Sequence, residues 1–283
     1  MQTKHWVLLG GAILLIILLL QFGQFKSKKA SVSGAPAGSE MPMPGAQGDQ
    51  HAHDFDIKAY LDKQMKVLSD TARQRAQSLT ETAETTPTPV NYKNIAECWE
   101  LHDELNAAAY YYKKGAFLEN TEKSLTFAGQ LLLVLMQRNQ EPGIRAWQAQ
   151  EAIECFNKVL ERNPESTETK IALATCYTEG TGETMKGVTL LREVTAKDST
   201  NIAANIILGK LAIQSGQFDK AQRRLEMVVS MQPENTEAMY FLAESYKGLG
   251  QKEKAVKWFE QCKKLVNNPD FSAEIDRYIQ SMK

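Results

Sequence analysis

The chain has 283 residues, with 33 Lys+Arg against 34 Asp+Glu and a formal net charge of −1. Near-neutrality excludes the clustered basic excess that phosphate-backbone binding needs, so no nucleic-acid partner is expected. The cysteines Cys98, Cys155, Cys176 and Cys262 stand far apart with no CxxC pair, which excludes a local zinc knuckle, a thioredoxin-type motif and a disulfide framework.

Residues 1–5 are a short polar tail. From Trp6 to Leu20 every residue is apolar or glycine, and no charged side chain falls between Lys4 and Lys26 apart from His5. Residues 6–25 would span about 30 Å as a helix, enough to cross a bilayer. A cleaved signal peptide is the competing reading, but Gln21, Phe22, Gln24 and Phe25 follow the apolar core where small residues would be needed. The expectation is therefore an uncleaved single-pass anchor, in a bacterial inner membrane. Lys26, Lys28 and Lys29 follow it with no acid before Glu40. The positive-inside rule then puts the carboxyl-terminal domain in the cytoplasm, with a periplasmic domain as the alternative.

Residues 26–53 are rich in Gly, Pro, Ala and Ser and read as a flexible linker. Met41, Met43, His51 and His53 lie here; soft ligands of this kind suit copper or zinc, so metal handling is the reading from another class. Two histidines at i,i+2 without a third fixed ligand make a weak site, and no metal or other cofactor is expected. Over 54–84, Ile57, Leu61, Met65, Leu68, Ala72, Ala76 and Leu79 recur at steps of four and three, which predicts one amphipathic helix. Its stripe would pack on the next domain, with weak self-association as the alternative.

The remainder is periodic. Gly216 and Gly250, Gln217 and Gln251, and Ala221 and Ala255 are each 34 residues apart. A period of that size implies stacked helical hairpins that bury their apolar faces only against neighbours. At these positions the chain resembles the tetratricopeptide repeat family, whose pattern is W-x2-L-G-x2-Y, then A-x3-F, then P. The copies read Tyr92-x2-Ile95-Ala96-x2-Trp99 with Ala108-x3-Tyr112, and Ser124-x2-Phe127-Ala128-x2-Leu131 with Ala152-x3-Phe156. They continue as Lys170-x2-Leu173-Ala174-x2-Tyr177 with Gly187-x3-Leu191, Asn205-x2-Leu208-Gly209-x2-Ala212 with Ala221-x3-Leu225, and Met239-x2-Leu242-Ala243-x2-Tyr246 with Ala255-x3-Phe259. The resemblance implies an all-α fold: a right-handed α-solenoid of about five hairpins over 89–267, closed by a capping helix over 268–283. The second copy carries an insertion near 138–149, which either lengthens both helices or forms a loop. The third has one extra residue in its turn.

No HExxH, GxSxG or phosphate-loop spacing occurs, and the four histidines offer no nucleophile–base pair, so no enzyme is expected. In the family the first helix of each repeat lines a concave surface that takes extended or helical peptides. The resemblance puts Lys93, Glu97, Glu100, Glu168, Ile171, Thr175, Thr178, Ile206, Lys210, Ile213, Tyr240, Glu244 and Lys247 on that surface. The family's chaperone-tail binders use a lysine and asparagine set. Here Ile171, Ile206 and Tyr240 stand where lysine is wanted, so an acidic chaperone tail is not expected. The overall expectation is a membrane-anchored scaffold that binds a protein partner, with an export-side helper of translocation or envelope assembly as the alternative.

Overall fold

The computed structural model describes residues 55–282; the expected anchor (6–25) and linker (26–53) lie outside the described residues. Among those described there are thirteen α-helices, one π-helical turn and no strand. None of these helices is long and apolar enough to cross a membrane.

The stretch 54–84, expected as one helix, is two: α1 (Ile57–Val67) and α2 (Asp70–Thr85). Leu68 is extended at ψ 148°, and the Ser69 hydroxyl accepts the Ala72 N–H at 3.4 Å while Asp70 occupies the first turn. A serine cap followed by an acid restarts the helix at the local level. Tyr60, Leu61, Met65, Leu68 and Leu79 share a core cluster with Tyr92, Ile95 and Trp99 of the following hairpin. The Tyr60 hydroxyl also donates to Glu104 at 2.7 Å. The stripe thus packs on the following hairpin, the arrangement expected of it, and that packing covers the face that self-association would need.

Five hairpins follow: α3 (Pro89–Glu100) with α4 (Leu105–Glu119), α5 (Glu122–Arg138) with α6 (Pro142–Arg162), α7 (Thr167–Thr175) with α8 (Thr184–Lys197), α9 (Ile202–Gln214) with α10 (Phe218–Met231), and α11 (Thr236–Gly248) with α12 (Lys252–Val266). The π-helical turn, Cys176–Thr181, continues α7. Every first helix opens on a side-chain cap: Thr88, Thr121, Ser166, Asn201 and Asn235 each accept a backbone N–H of the first turn. The second helices have none. Their starts are held by the hairpin turn, as where the Gln217 N–H reaches back to the Ala212 carbonyl at 2.7 Å. That turn needs a left-handed residue, supplied by Gly216 at φ 70°.

The second hairpin corrects the sequence alignment by one residue. A Cβ on Gly129 would come within 2.7 Å of the Phe156 ring, just as one on Gly209 would crowd Leu225 at 3.0 Å. Gly129, not Ala128, is therefore the small residue at the helix crossing. The buried series is Leu125, Ala128 and Leu132, and Phe127 turns outward. The insertion near 138–149 forms no long loop. It lengthens both helices, to 17 and 21 residues against 13 and 14 in the fourth hairpin. Pro142 starts α6 at a position where its missing N–H costs nothing.

Among the described residues the core is a succession of four clusters, one joining α1 and α2 to the first hairpin and three shared by neighbouring hairpins, as expected of a quasi-one-dimensional stack. At the carboxyl end α13 (Pro269–Met282) buries Ile275 and Ile279 against Phe259 and Cys262 of the last hairpin. Burial raises the pKa of all four cysteines, and pushes the Cys155 and Cys176 thiols up to about 12. At pH 8 the thiolate fraction at these two is on the order of 10⁻⁴. Iodoacetamide at pH 8 should leave Cys155 and Cys176 unmodified in the native protein and alkylate both in denaturant, as read by peptide mass spectrometry. The unfolded chain ionises these thiols first, so stability should fall as pH rises above the ordinary value of 9.0 towards 12, with no loss on their account below it.

Candidate functional site

Successive first helices pack on one another from the second hairpin onward: α5 on α7, α7 on α9, α9 on α11. The first pair lacks comparable packing. Between α3 and α5 lies a cavity of about 650 Å³, floored by Gly115 and Ala116 of α4. Its walls are Pro89, Val90 and Lys93 on one side and Lys123, Ser124 and Phe127 on the other. Tyr112 of α4 bridges the two sides. Its ring meets Phe127 edge-on at 5.2 Å and its hydroxyl donates to Glu100 at 2.8 Å, so it stands as a wedge between the two first helices. Burial, then the Glu100 carboxylate, drive the Tyr112 pKa upward, so this wedge stays neutral across the physiological range.

The cavity is apolar and open. Val90 is 64% exposed and Phe127 49%. Leu131 and Val134 continue the Phe127 stripe along α5 at i+4 and i+7, with Val134 40% exposed. Leu131 is half-buried against the core, so Val90, Phe127 and Val134 are the exposed apolar side chains here, and exposed apolar surface framed by charges is characteristic of partner-binding faces in general. The flanking charges are Lys93, Lys123 and Glu119.

Of the residues expected on the concave face, Lys93, Glu97 and Glu100 are exposed on α3, with Lys93 and Glu97 paired at 3.3 Å. Glu168 is exposed in the first turn of α7. Ile171 and Ile213 are half-buried and pack against the core. Thr175, 8% exposed, donates its hydroxyl to the Ile171 carbonyl at 3.0 Å. Ile206 is 7% exposed and belongs to the carboxyl-terminal core cluster with Val228, Val229 and Met239. Thr175 and Ile206 are therefore packing residues, since their positions on α7 and α9 face the neighbouring helices. Thr178 and Lys210 line a second cavity, of about 410 Å³. Lys210 is paired with Glu179 at 2.6 Å.

The fifth hairpin's positions are half-buried beside α12 and α13. Tyr240 stacks edge-on with Phe259 at 5.6 Å, and the Lys247 amino group reaches the Tyr278 hydroxyl. Burial, then the neighbouring Glu244 carboxylate, raise the Tyr278 pKa. Sequence reasoning missed Val90, Phe127 and Val134. Phe127 was masked by the register error, and its signal is the glycine one residue beyond Ala128. Among the described residues no cluster of three or more His, Cys, Asp or Glu is arranged to hold a metal ion.

The sequence profile of the tetratricopeptide repeat family matches residues 208–266. Lipopolysaccharide assembly protein B of Haemophilus influenzae is 25% identical over 157 residues, which cover 53% of this chain and 37% of that protein. The chain thus spans little more than a third of that relative's length. Among solved structures, MamA from Desulfovibrio magneticus RS-1 superposes with a TM-score of 0.50 at 20% identity, covering 64% of this chain and 97% of the other. YrrB, described as a TPR protein with an unusual peptide-binding site, gives 0.46 at 19% identity, covering 71% and 99%. The first of these is a likeness of fold.

Burial of Ile206 makes it a stability position. Ile206→Ala should cost about 2–5 kcal/mol and lower Tm in a circular-dichroism melt, whereas Glu168→Ala on the exposed face of α7 should stay within about 0.5 kcal/mol.

Proposed function

Because the chain carries tetratricopeptide repeats, we propose that it is a protein-binding scaffold whose principal recognition site is the cleft between α3 and α5. The observation that carries this reading is the cavity of about 650 Å³ with Val90 and Phe127 exposed on its walls. An apolar side chain of a partner segment fills the cleft above Gly115 and Ala116, and the Phe127–Leu131–Val134 stripe extends the contact along one helix face. That geometry suits an amphipathic helix or extended segment with an apolar anchor. Lys123, Glu119 and the Lys93–Glu97 pair frame the cleft with both signs of charge, and contribute to orientation and encounter rate more than to affinity.

A photo-crosslinking residue at Val90, in the cell of origin, tests the site. A discrete adduct is expected from Val90 and none from Thr189 on the exposed face of α8. Adding Phe127→Glu should remove most of the adduct, since a charge there leaves the anchor's cleft half hydrated. Equal labelling from both positions, or an adduct indifferent to Phe127→Glu, sinks the cleft assignment.

The reading includes an uncleaved anchor at 6–25 and a tether at 26–53, which together hold the repeats at a membrane surface and raise the local concentration of partners there. Its support is the sequence: fifteen successive apolar or glycine residues from Trp6 to Leu20, followed by three lysines. The partial likeness to a lipopolysaccharide assembly protein favours an envelope-assembly setting for that recruitment. Carboxyl-terminal fusions to a fluorescent protein and to alkaline phosphatase decide the side. Fluorescence without phosphatase activity is expected if the repeats face the cytoplasm, and the reverse pattern moves the site to the export side.

A further inference from the structure

The third hairpin contains one residue more in its turn than the fourth and fifth: Ala174 to Gly187 is 13 positions, against 12 from Gly209 to Ala221 and from Ala243 to Ala255. The chain absorbs that residue as the π-helical turn Cys176–Thr181. A π-helical insertion widens the helix and releases a carbonyl from the regular ladder, a device often found at functional sites. Here the Glu179 carbonyl accepts from Arg145 Nη2 at 2.9 Å, and the Glu179 carboxylate accepts from Lys210 Nζ at 2.6 Å. Arg145 Nη1 donates to the Asn139 carbonyl at 3.1 Å. All three charged groups line the cavity of about 410 Å³ between α6, the π-helical turn and α9.

The charge count decides what this cavity takes. Arg145 is anchored by two carbonyl oxygens and makes no ion pair among the described residues. Lys210 has one acid partner, Glu179. Two cations against one carboxylate leave one positive charge, with guanidinium and ammonium donors still unused, since an arginine offers five N–H groups and a lysine three. The complement is a group with one negative charge and paired acceptor oxygens.

We propose that this cavity is a carboxylate subsite of the repeat array, in which Arg145 and Lys210 receive an acidic group of the partner and Glu179 is the internal carboxylate that it displaces from Lys210. The subsite rests on the array being a partner-binding surface, and it specifies the chemistry of one point of contact. It differs from the lysine and asparagine arrangement of the family's chaperone-tail binders, because Arg145 comes from a second helix and Glu179 is aimed by the π-helical turn.

Full-length protein in detergent, titrated with three fluorescein-labelled peptides of one apolar body, tests it by anisotropy. The first is amidated and carries Asn, the second is amidated and carries Asp, and the third carries Asn with a free carboxyl terminus. At least one acidic probe should bind about tenfold tighter than the neutral one, and which of the two does so identifies a side-chain or terminal carboxylate. Lys210→Gln should remove that preference. Glu179→Gln should strengthen acidic-probe binding about threefold and leave the neutral probe unchanged, an opposite sign that misfolding cannot produce. Phe127→Glu should weaken all three probes alike, which separates failure of the cleft from failure of this subsite. Absence of an acidic preference, or a preference untouched by both Lys210→Gln and Glu179→Gln, overturns the proposal.

Discussion

In the second and fourth hairpins a glycine on the first helix lets a large residue of the second come close, and the rotation of the first helix follows from that contact. At Gly129 any side chain would collide with the Phe156 ring, and at Gly209 one would crowd the Leu225 branch at 3.0 Å. Once the rotation is set, the helix has one face for its own partner, one for each neighbouring unit and one left over. A repeat has no private core, so a residue one position along can pass from interior to surface. Phe127 and Leu125 show the consequence: two positions apart, one is half in solvent and the other fully enclosed.

The same contact explains what could be read in advance. The period of 34, the Ser, Thr or Asn that opens each first helix, and the buried series of the first, third, fourth and fifth units are local or strictly repeated signals. The second unit offered two adjacent small residues, Ala128 and Gly129. The choice between them is made by Phe156, on the far side of a lengthened hairpin where no fixed spacing applies. The break at Leu68 was hidden for a related reason. The step from Leu68 to Ala72 keeps helical spacing across two separate helices, so the stripe reads as continuous although Ser69 restarts the backbone.

At the candidate site the balance is different. Lys93, Glu100 and Lys210 were legible as surface positions of first helices, but what they do depends on residues outside any first-helix pattern. Tyr112 comes from α4 and Arg145 from α6, and each acts by reaching across to a first helix or its extension. Ile206 errs the other way. The family resemblance assigns it to the concave side, yet α9 and α11 approach closely enough for the carboxyl-terminal cluster to enclose it. Where first helices touch, their facing residues become core; where they stand apart, the same positions stay open to solvent, as at Val90 and Phe127.

That distinction bears on where along the array the proposed contacts fall. At one end α1 and α2 cover the outer side of the first unit, and at the other α13 lays Tyr278 over Tyr240, Glu244 and Lys247. Both ends thus meet the requirement that a stack terminate in elements able to face water. Between these caps two cavities lie beside irregular features of the stack: an apolar cleft beside the wedge of Tyr112, and a charged one beside the extra residue of the π-helical turn. A uniform stack would give a partner the same shallow surface at every unit. Two local irregularities of opposite chemistry give it an orientation, because an apolar anchor and an acidic group cannot exchange places without leaving a charge in the apolar cleft.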